Sequence, residues 1–261
     1  MIPRYYFEKN YPIATGNKTR VALFLDFDGT LAPIRKDSQQ CYLSPVTRKL
    51  LKSILGSGKS VLAVLSGRSL SDLQKRLSIR GAFYAGSHGL EISGPALRFI
   101  HKNARVAKPA LDMIMRNLQE KIDSREGVLI EKKPYSFALH YRDAAKEIVP
   151  FIRKAFHDTI KKESAYERSF IVMRGKKVLE LLPRVSWNKG AAALHIMTKL
   201  DKKYLPICVG DDSTDETLFE AFCETGITIR VGPSRRTAAR YYLKGQWEVP
   251  LLLKQIDDSL W

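Results

Sequence analysis

Cysteine is scarce in this chain: three in 261 residues, at positions 41, 208 and 223. An odd number of widely spaced thiols with no paired-ligand pattern excludes a disulfide framework and a zinc module. Long apolar runs are missing too. No segment approaches the ~20 apolar residues that cross a bilayer, and the opening MIPRYYFEKNYPIATG holds no continuous stretch of secretory length. The expectation is a soluble cytoplasmic protein with reduced thiols and no membrane partner. Acidic residues are also few, 27 against 44 Lys plus Arg, which leaves a net charge of +17. Such an excess invites a nucleic-acid reading, but charge density is similar in residues 108–184 and in the rest of the chain, without a basic arm. The stretch Arg230 to Lys244, with Arg235, Arg236 and Arg240 and no acid, reads as a solvated face. No nucleic-acid partner is expected, and the positive field instead draws anionic metabolites towards a cleft.

What is present is a grammar of short apolar runs alternating with amphipathic stretches. Val21–Leu25 and Val61–Leu65 read as buried parallel strands. Between them Pro45 opens a helical pattern through Leu50, Leu51, Ile54 and Leu55 that Gly56 and Gly58 stop. Leu70, Leu73 and Leu77 mark a second helix and Ala82–Ala85 a third strand, giving βαβαβ. The tail repeats the pattern: helix from Lys189 to about Leu200, strand 206–209, helix 216–223, strand 226–231 and a last helix near 249–256. The middle differs. A helix through Leu111, Ile114, Met115 and Leu118 is followed by two strands around 127–132 and 137–141, a helix carrying Ile152 and Phe156, and strands at 169–173 and 177–182. That αββαββ order predicts an α+β module with an antiparallel sheet. The fold class is therefore α/β: a doubly wound parallel sheet, residues 1–106 and 186–261, interrupted by an α+β cap at 107–185.

The run Val21–Leu25 ends in Asp26 and Asp28, followed by Gly29 and Thr30, so two carboxylates lie at the carboxyl edge of a buried strand, where open α/β sheets bind ligands. This segment, VALFLDFDGTLAPI, resembles the first signature of the haloacid dehalogenase-like phosphatases. Three further segments follow in that family's order: Val64–Arg68 (VLSGR), Lys189 in Trp187-Asn188-Lys189-Gly190, and Gly210–Asp215 (GDDSTD). The resemblance implies an aspartyl-phosphate mechanism. Asp26 attacks phosphorus, and Asp28 protonates the leaving oxygen and then activates water. Ser66 and Lys189 hold the phosphoryl oxygens. It also implies Mg2+ held by the side chains of Asp26 and Asp211 and the main-chain carbonyl of Asp28, with Asp212 and Asp215 orienting the ligands or the lysine.

Over nearly the whole chain the likeness is to the trehalose-6-phosphate phosphatases within that superfamily. It is carried by Tyr84–Ile92 (YAGSHGLEI), Glu131-Lys132-Lys133, Phe137–Arg142 (FALHYR), Lys177–Leu181 (KVLEL) and the stretch from Thr237 to Val249. That subgroup reads its sugar through an E-x-K pair and a G-x-x-x-x-E stretch, which correspond to Glu131, Lys133, Lys176 and Glu180, with Arg142 beside them. Arg68, His88 and Gly89, with Ser66 and Gly67, would line the core side of the cleft. Spacing alone agrees that Glu131 and Lys133 share one face of a strand. Two departures stand out: Lys132 replaces the usual Asp or Asn and is expected to add a charge beside the sugar, and Phe27 stands where Tyr is common. The implied activity is hydrolysis of trehalose 6-phosphate, with a trehalose-6-phosphate synthase as pathway partner. Sucrose 6-phosphate, a glucosylglycerol phosphate or a mannosyl phosphoglycerate are the alternative substrates. A basic protein that binds nucleic acid on a dead phosphatase core is the rival from another class, and the intact Asp26, Asp28, Lys189 and Asp211 argue against it.

Overall fold

A computed structural model describes residues 2–8, 20–35, 38–122, 126–162, 167–175, 177–201 and 203–261. The chain divides into two compact units, Met1–Phe99 with Trp187–Trp261, and Ile100–Ser186. In chain order the elements are β1 (Arg4–Tyr5), β2 (Val21–Asp26), α1 (Pro45–Gly56), β3 (Ser60–Leu65), α2 (Leu70–Leu77), β4 (Phe83–Gly86), β5 (Glu91–Gly94) and β6 (Leu97–Ile100). Then come α3 (Lys102–Ile122), β7 (Leu129–Lys132), β8 (Phe137–His140), α4 (Val149–Lys162), β9 (Phe170–Gly175) and β10 (Val178–Pro183). The chain closes with α5 (Lys189–Met197), β11 (Leu205–Gly210), α6 (Glu216–Phe222), β12 (Ile227–Val231), β13 (Tyr241–Leu243) and α7 (Val249–Leu260).

The large sheet runs β1-β13-β12-β11-β2-β3-β4-β5-β6. Every pairing from β1 to β4 is parallel, and β5 joins β4 antiparallel. The chain winds outwards from β2 in one direction through β3 and β4, and from β11 in the other through β12 and β13. The neighbouring strands β2 and β11 therefore form the switch point at which such sheets hold ligands. Alternation along β2 explains the layers. Val21, Leu23 and Leu25 join a core with Leu51 and Ile54 of α1, Leu73 and Leu77 of α2 and the apolar stripe of α7. Ala22 and Phe24 face the other way, towards Ala192, Ala193 and Ile196 of α5 and Leu218, Phe219 and Phe222 of α6. With period two, Asp26 continues the row of Ala22 and Phe24, so its carboxylate emerges on the α5 side.

Helix starts follow their sequence signals. Ser44 accepts from the Thr47 amide ahead of Pro45, and Ser69 accepts from the Asp72 amide. Close packing of α5 on α6 depends on Gly190, where a Cβ would lie 2.1 Å from the Thr217 carbonyl oxygen. Near the amino terminus β1 pairs with β13, Tyr6 is 2% exposed, and the Tyr5 hydroxyl donates to Glu248 at 2.7 Å. Tyr5 and Tyr6 thus dock on the sheet edge, Tyr6 edge-on to Tyr241 with ring centroids 5.9 Å apart. Phe99 and Trp187, where the chain leaves this unit and returns to it, stack with ring centroids 4.9 Å apart.

The second unit is a four-stranded antiparallel sheet, β7-β8-β10-β9. Phe137, Leu139, Leu179, Leu181 and Phe170 pack against α3 and α4 through Leu111, Ile114, Leu118, Ile152 and Phe156. The helix predicted around Leu111 is longer than its apolar pattern and starts at Lys102, so residue 107 falls inside it. Among the described residues no helix is long and apolar enough to cross a membrane.

Candidate active site

The site in the larger unit is assembled from the carboxyl ends of adjacent parallel strands. Asp26 is the last residue of β2 and is 4% exposed. Asp211 follows β11, Ser66 follows β3, and Lys189 opens α5 behind the Asn188 cap. The Lys189 ammonium donates to Asp26 Oδ1 at 2.6 Å and to Asp215 Oδ1 at 2.7 Å. Each of Asp26, Asp211 and Asp215 places a carboxylate oxygen within 4.8 Å of the others. Asp215, fully buried, has both oxygens engaged: Oδ1 by Lys189, and Oδ2 by the amides of Asp211 and Asp212 at 3.0 Å each. Asp212 caps the short turn Ser213–Asp215 in a reciprocal box with Asp215. Gly29, at φ +89°, lets the loop turn beneath Asp211; a Cβ there would lie 2.2 Å from its Oδ2.

So many acids in one place disturb each other. Burial, then the charges of Asp215 and Asp212, push Asp211 up to about 6. Burial raises Asp26 above the carboxylate range, with Asp215 and Asp211 adding to it and Lys189 opposing. Burial works against the Lys189 ammonium, but Asp215 and Asp26 raise it overall, so the lysine stays charged. One ammonium does not offset three buried acids, which is why Asp26 and Asp211 are raised. A set of hard oxygens that needs further positive charge to ionise together fits a hard divalent cation.

Asp28 lies apart from this cluster. Its carboxylate accepts from Arg68 Nε at 2.7 Å and from Nη2 at 2.6 Å, a side-on fork. Arg68 Nη1 donates to Asp72 at 2.8 Å. Ser66 is 2% exposed and its hydroxyl accepts from the Arg68 amide at 3.1 Å. Gly67 lies against the His88 ring, 2.7 Å from where a Cβ would stand. Ser87, His88 and Gly89 form a left-handed turn, with φ 50°, 59° and 96°. The Ser87 amide donates to the Arg68 carbonyl at 2.6 Å, that of His88 to the Ser66 carbonyl at 3.0 Å, and Trp187 Nε1 to the Gly89 carbonyl at 2.7 Å. Buried Glu91 accepts from Ser87 Oγ at 3.2 Å, and burial raises its carboxyl.

In the smaller unit the sheet register sets Glu131 opposite Ala138, and Ala138 opposite Glu180. Glu131, Lys133, Ser136, His140 and Glu180 thus share the face away from α3 and α4. Lys133 donates to Glu180 at 2.9 Å, Ser136 donates to the same oxygen at 2.7 Å, and His140 Nε2 lies 2.8 Å from Glu131. The His140 contact lowers the Glu131 carboxyl against the effect of burial, with Lys133 assisting. Arg142 is exposed beyond the end of β8, and Lys176 lies outside the described residues. Lys132 departs from expectation: it pairs with Asp112 of α3 at 2.9 Å, on the helix side of the sheet, because alternation turns it away from Glu131 and Lys133. Sequence reasoning also left out Asp72, Ser136 and Glu91. Asp72 is signalled by its four-residue offset from Arg68; Ser136 carries no signal before the strand register is known.

A family model described as trehalose-phosphatase matches residues 24–246. Among curated proteins, trehalose-phosphate phosphatase of Mycobacterium tuberculosis is 34% identical over 249 residues, 92% of this chain and 61% of that protein. The chain thus spans about three fifths of the length of the first curated relatives it matches. Among solved structures, the Candida albicans trehalose-6-phosphate phosphatase C-terminal domain superposes with TM-score 0.77 at 23% identity, covering 99% of this chain and 98% of that one. An Aspergillus fumigatus trehalose-6-phosphate phosphatase gives TM-score 0.61 at 25% identity, covering 93% of each chain.

Proposed function

The chain belongs to the trehalose-phosphatase family, and from that premise we propose that it hydrolyses trehalose 6-phosphate to trehalose and inorganic phosphate with the help of Mg2+. The observation that carries the reading is the meeting of Asp26, Lys189 and the pair Asp211 and Asp215, from three segments of the chain, within hydrogen-bonding distance or a few ångströms of one another.

Asp26 forms the bond to phosphorus, dividing one slow displacement into two. Asp28 gives a proton to the sugar oxygen and then takes one from water. Ser66 and Lys189 meet the phosphoryl oxygens. Asp215 holds Lys189 and the Asp211 backbone in place, because its oxygens are already occupied by them. The metal-holding groups would be the side chains of Asp26 and Asp211 and the main-chain carbonyl of Asp28. When bound, the cation supplies neutralisation of the carboxylates and of the phosphoryl charge.

The unit Ile100–Ser186 is the specificity cap in this reading. Glu131, Lys133 and Glu180, already aligned on one face with Ser136 and His140, supply alternating acceptors and donors for sugar hydroxyls. Family likeness adds Arg142 and Lys176, and in the other unit His88 and Gly89, as further candidate sugar contacts. A trehalose-6-phosphate synthase supplies the substrate. The three cysteines are free thiols, which suits a reducing cytoplasm.

Phosphate release from trehalose 6-phosphate, glucose 6-phosphate, sucrose 6-phosphate, a glucosylglycerol phosphate and a mannosyl phosphoglycerate, with and without Mg2+, tests metal, reaction and substrate together. Trehalose 6-phosphate is expected to be much the fastest, and only with the metal. Equal rates on glucose 6-phosphate would reject the cap assignment.

A further inference from the structure

The segment after β3 places Arg68 beside the reacting groups, and family likeness assigns it to the substrate. Its contacts point elsewhere. Nε and Nη2 form the fork on both oxygens of Asp28, at 2.7 and 2.6 Å, and Nη1 reaches Asp72 at 2.8 Å. The Arg68 side chain is only 11% exposed and lies over the Phe27 ring, 5.5 Å from its centroid. Asp72 is held in turn by Arg76 Nε at 2.8 and 2.9 Å. Arg76 donates to the carbonyls of Gln39 at 3.0 Å and Cys41 at 2.8 Å and lies over Tyr42. The result is a chain of alternating charge, Asp28–Arg68–Asp72–Arg76, anchored on the backbone ahead of α1.

We propose that Arg68 is the positioning residue of Asp28 and that Asp72 sets Arg68. This deepens the phosphatase reading and rests on it. Asp28 stands two residues past the end of β2 on a tight loop, and in the large sheet's unit it is the half-exposed member of the ion pair, at 35%. A group in that place needs a second anchor to meet a leaving oxygen reproducibly, since acid catalysis depends steeply on alignment.

The chemistry also says why the anchor has two carboxylates. In the first half-reaction the Asp28 carboxyl proton passes to the sugar oxygen while the P–O bond to the sugar breaks and the bond from Asp26 to phosphorus forms. In the second, a water proton passes to Asp28 while the water oxygen bonds phosphorus and the acyl-phosphate P–O bond breaks. Arg68 bridges the two acids, with Nε and Nη2 on Asp28 and Nη1 on Asp72, so Asp72 keeps the guanidinium compensated and oriented whatever Asp28 exchanges with the substrate.

Asp72→Asn preserves shape and removes the charge; Arg68→Lys keeps charge and removes the fork. Each is assayed for kcat and KM on trehalose 6-phosphate, for rapid nitrophenolate release from p-nitrophenyl phosphate, and for thermal unfolding. An aryloxide leaves without a proton, so loss of acid alignment affects the sugar ester alone in the first half-reaction. Asp72→Asn is expected to lower kcat on the sugar phosphate about 10-fold with KM within about twofold, and to leave the rate of the nitrophenolate burst unchanged. Arg68→Lys is expected to lose more in the same pattern; should it fail to fold, Asp72→Asn decides. A raised KM with unchanged kcat would make Arg68 a substrate contact and overturn the proposal. So would an equal loss on both esters, which a general structural defect produces. If the unaltered protein releases phosphate from neither ester, the phosphatase reading itself falls, and this proposal with it.

Discussion

The two polar faces of this molecule are built on opposite terms. In the core unit the charges that meet at the strand ends are sealed: the side chains of Lys189, Asp26 and Asp215 are 3%, 6% and 0% exposed. In the smaller unit Lys133 and Glu180 are 10% and 13% exposed, while His140 and Glu131 reach 36% and 44%. A parallel sheet brings several strand ends to one point, so its acids converge and need an internal cation to coexist. An antiparallel sheet spreads its side chains over a face, and each charge finds a neighbour across a strand. The first arrangement suits bond-making, which depends on fixed charge in a dry place. The second suits the reading of hydroxyls, where each pair can be exchanged at little cost to the fold.

The strongest attack on this contrast is on Asp26, the proposed nucleophile. Asp26→Asn is expected to lower turnover more than about a thousand-fold with an unchanged circular dichroism spectrum; appreciable residual turnover would mean that the converging acids are structural. Next comes Lys189→Met, which leaves two carboxylates buried without their ammonium. A loss of about 3–5 kcal/mol in urea unfolding is expected, as for any buried pair deprived of one partner. Glu180→Gln, by contrast, should raise KM for trehalose 6-phosphate about 10-fold, the effect of one misread polar contact, and leave kcat within about threefold. A collapse of kcat here would erase the division of labour. The smallest effect belongs to Glu131. Its folded-state carboxyl is lowered by His140, so its contribution to stability is present above the unfolded carboxylate range and is lost as pH falls through the lowered folded value. Because the pair is well exposed, that loss should be under about 1 kcal/mol, and thermal melts of Glu131→Gln should lack it below pH ~4.

Much of the core was legible because its chemistry sits where strand patterns stop. Val21–Leu25 announces β2, and Asp26 and Asp28 follow as its first polar groups; Gly210 and Asp211 end β11 in the same way. The αββαββ order of the insert was equally readable. Other features were not, for physical reasons. β1 has two residues and no period to detect, β5 and β6 follow a left-handed turn that only the backbone reveals, and α3 continues through Pro109 beyond its apolar stripe. The expectation of a Lys132 charge beside the proposed sugar contacts neglects the period-two rule, which, applied to Glu131 and Lys133, sends Lys132 to Asp112. For Arg68, local sequence names the residue and its neighbour Asp72, but the reach to Asp28, 40 positions away, exists only in three dimensions.

Phe99 and Trp187 close the gap through which the chain departs from the core and comes back. Polymer physics assigns the entropy of joining two ends to the length of chain between them, but here the ends are already clasped by aromatic rings belonging to the host. Closing the stretch from Ile100 to Ser186 costs an entropy that grows only with the logarithm of its length, so residues added within it should weigh little on the unit that carries this joint.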